Sequence, residues 1–184
     1  MTGPRPAAIE PWPTDASDVL ALDRDLDMLS DVLHAVVHTG AGVSFVVPFS
    51  HADARAFWLE TVLPRAAAGT RRVLVARQHG RIVGTVQLDL ATPPNQPHRA
   101  EVTKLLVHPE ARRQGIARQL MVALEDTARA AGRSLLTLDT WTGSQAEQLY
   151  RSLGYTIVGV IPRYARGSIT TELDGTTIMY KELV

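Results

Sequence analysis

Between Lys104 and Gly132 the sequence reads KLLVHPEARRQGIARQLMVALEDTARAAG: an apolar strand, a basic turn containing one glycine, then an amphipathic helix. No other stretch constrains the chain as much. Ile116, Leu120, Leu124 and Ala128 recur at helical spacing, so one face of the helix is committed to a core while its first turn opens at the strand's end. A helix N-terminus carries backbone N–H groups without acceptors and roughly half a positive charge, so an anion docked there is stabilised without a dedicated lysine. Arg112, Arg113 and Arg118 add formal charge at the same place. The junction is a candidate cradle for a pyrophosphate.

The remaining composition limits what that anion can belong to. The turn has neither the glycine, lysine and hydroxyl residue of a P-loop nor the G-x-G-x-x-G of a dinucleotide-binding fold, which argues against a nucleoside triphosphate or NAD. With 19 Lys and Arg against 19 Asp and Glu, no net field draws in DNA or an anionic membrane, and neither partner is expected. The absence of cysteine removes disulfides, thiolate zinc sites and a cysteine nucleophile. No apolar run reaches the ~18 residues of a membrane span, and a secretory leader is not evident, so a soluble cytoplasmic protein is expected. His34 and His38 lie four apart on a helical stretch but lack a third ligand, and no metal site is expected.

At 184 residues and 45% apolar content, the chain suits one domain with a substantial core, expected over residues 14–184. Residues 1–13 hold four of the 11 prolines and are expected to form a flexible tail, with at most a short edge strand around Ala8 to Glu10. Thr14 or Asp15 can cap a helix running to about His38, and Ser50 begins a second, interrupted at Pro64 and ended before Gly69. Strands are expected at 72–78 and 81–90 around a His79-Gly80 turn, then at 99–107, 135–140, 155–161 and 177–183. A short helix spans 144–153. This order predicts an α+β, or mixed α/β, domain whose six or seven strands form a largely antiparallel sheet with helices on both faces.

Two motifs carry a family resemblance. Arg112 to Ala117 resembles the Q/R-x-x-G-x-G/A signature of the GNAT acetyltransferase superfamily, with Gly115 in its middle. Ala146 to Tyr155, AEQLYRSLGY, resembles that superfamily's A-x-x-L-Y-x-x-L-G-F/Y motif at the expected distance downstream. The closest resemblance is to tabtoxin-resistance-type members, carried by His38-Thr39-Gly40-Ala41, Arg99-Ala100-Glu101-Val102, Leu138-Asp139-Thr140 and Gly143-Ser144. Gly143 stands where many superfamily members have an asparagine that reaches coenzyme A.

The resemblance implies acetyl-CoA as donor, a primary amine of a small molecule (a toxin, an antibiotic or an amino-acid-like compound) as acceptor, and direct attack with no covalent enzyme intermediate. Leu105, Leu106 and Val107 would splay from the neighbouring strand and pair with pantetheine amides. The pyrophosphate would rest on the amides of Arg113, Gln114, Gly115, Ile116 and Ala117, with Arg112 and Arg118 nearby. Tyr150 would protonate the departing sulfur, or else be a core aromatic with a wet hydroxyl. An alkylammonium with pKa about 10.4 is neutral only to about one part in a thousand or less at pH 7, so a base or a water chain must take its proton. Glu101 is the candidate, with Asp139 as partner or substitute, each expected to be buried enough to raise its pKa. Pairing of either with an arginine such as Arg99 is the competing reading. A backbone N–H near Leu106 could hold the oxyanion. Acceptor contacts are expected from 39–49, Trp141, Arg163 and Tyr164. A catalytically inactive acyl-CoA sensor is the alternative function, and the apolar run at 155–161 is compatible with a homodimer.

Overall fold

The computed structural model describes residues 7–13 and 18–183. Its first strand, β1 (Ala8–Trp12), pairs antiparallel with residues 73–77, so this part of the expected tail is sheet, anchored by the buried Trp12. Residues 1–6 lie outside the described residues, as do Thr14 and Asp15, the expected caps. Helix α1 (Val19–His38) is capped by Asp18, whose carboxylate accepts the Ala21 N–H at 3.0 Å. It buries Leu26, Leu29, Val32, Leu33, Val36 and Val37 at spacings of three and four.

Ser50 opens the second helical stretch with a reciprocal capping box to Asp53. The stretch runs as α2 (His51–Ala56), a π-helical segment (Phe57–Val62) and α3 (Leu63–Ala67). Pro64 lacks an N–H and crowds the preceding turn, and the wider π turn just before it absorbs both effects. Trp58, fully buried in that segment, donates its indole N–H to Leu29 O at 3.0 Å and ties the two helices together.

The seven-stranded sheet has the order β1-β2-β3-β4-β5-β7-β6. β2 (Arg71–Gln78) and β3 (Arg81–Asp89) form the expected hairpin, with positive φ at His79 and Gly80. β4 (Arg99–Val107) pairs with β3, and helix α4 (Ile116–Ala130) follows it. β5 (Leu135–Trp141), helix α5 (Gln145–Ser152), β6 (Thr156–Arg166) and β7 (Leu173–Glu182) complete the chain. Every neighbouring pair is antiparallel except β4 and β5. One face packs on α1 and the Trp58 segment, the other on α4 through Ile116, Leu120, Leu124 and Ala128. The mixed fold with helices on both faces is as expected, but β6 continues past Ile161 to Arg166 and β7 begins at Leu173, ahead of the expected 177.

Candidate active site

The parallel pair β4 and β5 is joined only at its start, where Arg99, Ala100 and Glu101 face Leu135, Leu136 and Thr137. Beyond Glu101 the two strands part. The β5-facing edge of 102–107, which includes Leu105, Leu106 and Val107, has no strand beside it. A missing strand's hydrogen-bonding groups are what an extended amide-bearing ligand can supply.

The open edge leads to the start of α4. After a short 3₁₀ turn (Pro109–Ala111), Arg113 and Gly115 take positive φ, 65° and 77°, turning the chain so that successive amides face one side. Gly115 is the N-cap and carries no side chain to cover them. Among the described residues, no backbone or side-chain acceptor serves the amides from Arg113 through Arg118; the first paired amide is Gln119, to Gly115 O at 3.1 Å. Ile116 turns its side chain into the core, so it offers only its amide. Two of the three arginines are engaged locally. Arg112 donates to Val107 O and to Thr39 Oγ1 at 3.1 Å, and Arg118 donates to Ser152 Oγ at 2.6 Å. Gln114 accepts from Gln78 at 3.2 Å. Arg113 makes no side-chain bond among the described residues.

Helix α5 aims the tyrosine. Ser144 caps it by accepting the Glu147 N–H at 3.1 Å, and Tyr150 then faces the gap between the parted strands, its ring packed against Tyr155 at 5.7 Å. Tyr150 is 6% exposed, and burial, reinforced by the Asp139 carboxylate, pushes its phenol well above the usual tyrosine range. It stays protonated across the physiological range and is a proton donor by default. These parts line one cleft of about 850 Å³, a volume ordinary for a small-molecule site.

Glu101 and Asp139 line the same cleft, but neither is buried, which corrects the expectation of an apolar setting. Glu101 is the last β4 residue paired with β5, and Asp139 lies two residues beyond that pairing on β5, so both stand at the mouth of the gap. Asp139 accepts the Thr176 hydroxyl at 2.9 Å, and Glu101 lies 4.0 Å from Arg99.

Comparison with known proteins bears on what this cleft does. A model of the acetyltransferase (GNAT) domain matches residues 69–157. An uncharacterized N-acetyltransferase from the hisH–hisA intergenic region of Azospirillum brasilense is 36% identical over 118 residues, 62% of this chain and 67% of that one. The chain belongs to the GNAT superfamily. It is therefore an acyltransferase. An IAA acetyltransferase of the same organism is 39% identical over 85 residues, 46% of this chain and 54% of that protein. Among solved structures, yncA of Salmonella typhimurium with its cofactor acetyl-CoA superposes with a TM-score of 0.75 at 20% identity, over 98% of this chain and 95% of that one. The ribosomal-protein-alanine N-acetyltransferase of Brucella melitensis gives 0.73 at 24%, over 96% and 99%. Both are likenesses of fold.

Within this GNAT fold the far wall of the cleft comes from distant segments. Of the expected 39–49, Thr39 to Ser44 line it and Phe45 to Phe49 do not; Trp141 and Tyr164 line it, whereas Arg163 does not and Arg166 does. One residue escaped the sequence reading. Lys104 sits at a bulge in β4, with φ 52°, where Thr85 pairs with Leu106 but Gln87 pairs with Thr103. The bulge sets the lysine over Phe45 and Phe57, its Nζ 5.7 and 6.0 Å from the ring centroids, and within the cleft lining. The available signal was Thr103-Lys104 interrupting an apolar strand. His34 and His38 gain a neighbour the sequence could not show, His51, stacked on His34 at 3.7 Å. Among the described residues no three His, Asp or Glu side chains gather into a metal-binding group.

Proposed function

We propose that the chain transfers the acetyl group of acetyl-CoA to a primary amine of a small molecule by direct attack. One observation carries this reading: an unpaired strand edge runs continuously into a set of acceptor-free helix amides, with a buried phenol facing the gap. The edge at 102–107 suits the amides of a pantetheine arm, and the amides of Arg113 to Arg118 suit a pyrophosphate. The solved complex of yncA with acetyl-CoA supports the same donor. Acetyl-CoA supplies an activated acyl carbon, so no nucleophile from the protein is required.

The residues supply positions and protons. Glu101 or Asp139 removes a proton from the acceptor ammonium, directly or through water, because both line the cleft beside the strand gap. A backbone N–H near Leu106 faces the carbonyl oxygen as charge gathers on it. Tyr150, held neutral by burial, gives its proton to the departing sulfur. The reading includes a homodimer through the β6 edge, where Val158, Val160 and Ile161 are exposed; light scattering checks it. A mass-spectrometric screen of small amines with acetyl-CoA tests the activity. Gain of one acetyl group, with matching release of free coenzyme A, is expected. Binding of acetyl-CoA with no acceptor modified would favour the sensor reading instead.

A further inference from the structure

The acceptor side of the cleft ends in a set of hydrogen-bond donors that lack acceptors. Lys104 forms no ion pair among the described residues; its only hydrogen bond is to Ser44 Oγ at 3.2 Å. Thr103, next to it in the lining, has a buried hydroxyl without a partner. Behind Thr103, in register on β3, Gln87 is fully buried and its amide nitrogen is also unpartnered. Arg71 on β2 donates Nη1 to the Gln87 oxygen at 3.0 Å and pairs with Asp89, but its buried Nε is free.

A buried polar group without a partner costs about 1–3 kcal/mol, and one such group in a strand can be satisfied by a trapped water. Here four donors from three adjacent strands collect on one face, two of them cations, and of those only Lys104 has no ion pair among the described residues. Burial, then the charge of Arg71, lowers the Lys104 ammonium below the usual lysine range, while Asp139 and Glu101 act in the opposite direction without touching it. A site composed of donors around an unpaired cation lacks an anionic acceptor.

We propose that Lys104 and Thr103, backed by Gln87 and Arg71, form a carboxylate-binding subsite, so that the acceptor is an amine that also bears a carboxylate. Its ammonium would then lie towards Glu101 and Asp139, which line the same cleft and carry the opposite charge. The two charge signs at separate places in one cleft orient a zwitterion and leave a simple alkylamine held at one end only. This subsite rests on the acetyl-transfer reading and narrows its acceptor.

The test uses matched pairs: ornithine against putrescine, lysine against cadaverine, and other amino acids against the amines left by removal of their carboxyl group. Initial rates of acetyl transfer are measured with the full chain. At least one carboxylate-bearing member is expected to exceed its counterpart at least tenfold in kcat/KM. Lys104→Met should shrink that ratio at least tenfold, and Lys104→Arg should retain most of it. A ratio near one in every pair, or a ratio unaltered by Lys104→Met, overturns the subsite. Should Lys104→Met fail to fold, the wild-type ratios still decide. If no amine of either kind is acetylated, titration of the coenzyme-A-loaded protein with the N-acetylated members of each pair replaces turnover; absence of preference for the carboxylates rejects the subsite. Failure of acetyl-CoA itself to bind, followed by calorimetry, is the separate result that rejects acetyl transfer.

Discussion

The two halves of the cleft are built by different means. On the proposed donor side, a contiguous stretch from β4 through the turn into α4 offers backbone: an unpaired strand edge and a series of amides without acceptors among the described residues. On the acceptor side, side chains arrive from the α1–α2 loop, the β4 bulge, β5 and the β6–β7 ribbon. Backbone recognition requires little of side-chain identity beyond small size where the ligand approaches, whereas side-chain recognition can change residue by residue. One scaffold can then keep a single donor while its acceptor varies.

The sharpest way to break this contrast is to fill the donor turn. Gly115→Trp places a large ring at an N-cap held at φ 77°, and acetyl-CoA affinity should fall by more than about 100-fold, or roughly 2.7 kcal/mol, by calorimetric titration. An unchanged affinity would mean that the pyrophosphate lies elsewhere.

Tyr150 stands between the halves and should separate chemistry from binding. Tyr150→Phe is expected to lower kcat by about 10²–10⁴-fold while acetyl-CoA affinity changes little. A variant turning over at the parent rate would leave the phenol as packing.

The carboxylates come next. Glu101→Gln and Asp139→Asn should each reduce kcat/KM, by about tenfold for a base that its neighbour or a water can replace, and the double variant should lose more than either. Equal rates in the double variant and the parent would assign the proton to water alone.

A smaller effect is on stability at alkaline pH. Burial raises the phenols of Tyr150 and Tyr155 above their unfolded value of about 10, so the folded chain favours the neutral form. Their contribution is complete below pH about 10 and is lost as pH rises towards the folded values. Denaturant midpoints should therefore decline above pH about 10, and Tyr155→Phe should make that decline shallower. A midpoint indifferent to pH in that range would contradict the buried setting.

The same contrast governs what the sequence could reveal. Gly115, the basic turn and Tyr150 belong to short local patterns, so the parts of the proposed donor side could be named before any fold existed. The hairpin at His79-Gly80 and the helix start at Ser50 were legible for the same reason. Lys104 was not, because its direction depends on a register irregularity against β3 that no local pattern encodes. The burial expected of Glu101 and Asp139 failed because strand character suggests a covered face, yet these residues stand at the mouth of the gap between β4 and β5. β6 was expected to end at Ile161, just before Pro162; on an edge strand the missing N–H removes no ladder bond, and the strand continues through an irregularity to Arg166.

In the proposed site, backbone more than side-chain charge holds the donor. Arg112 and Arg118 already bond to Val107, Thr39 and Ser152, which leaves Arg113 as the arginine without a local role. The direct measurement is calorimetric affinity for acetyl-CoA at about 0.15 M salt in the triple variant Arg112→Ala, Arg113→Ala, Arg118→Ala, set beside Gly115→Trp. The triple variant should weaken binding by about tenfold or less, most of it traceable to Arg113, while Gly115→Trp removes it. A triple variant that loses binding as completely as Gly115→Trp would contradict the account and make the turn a charge clamp.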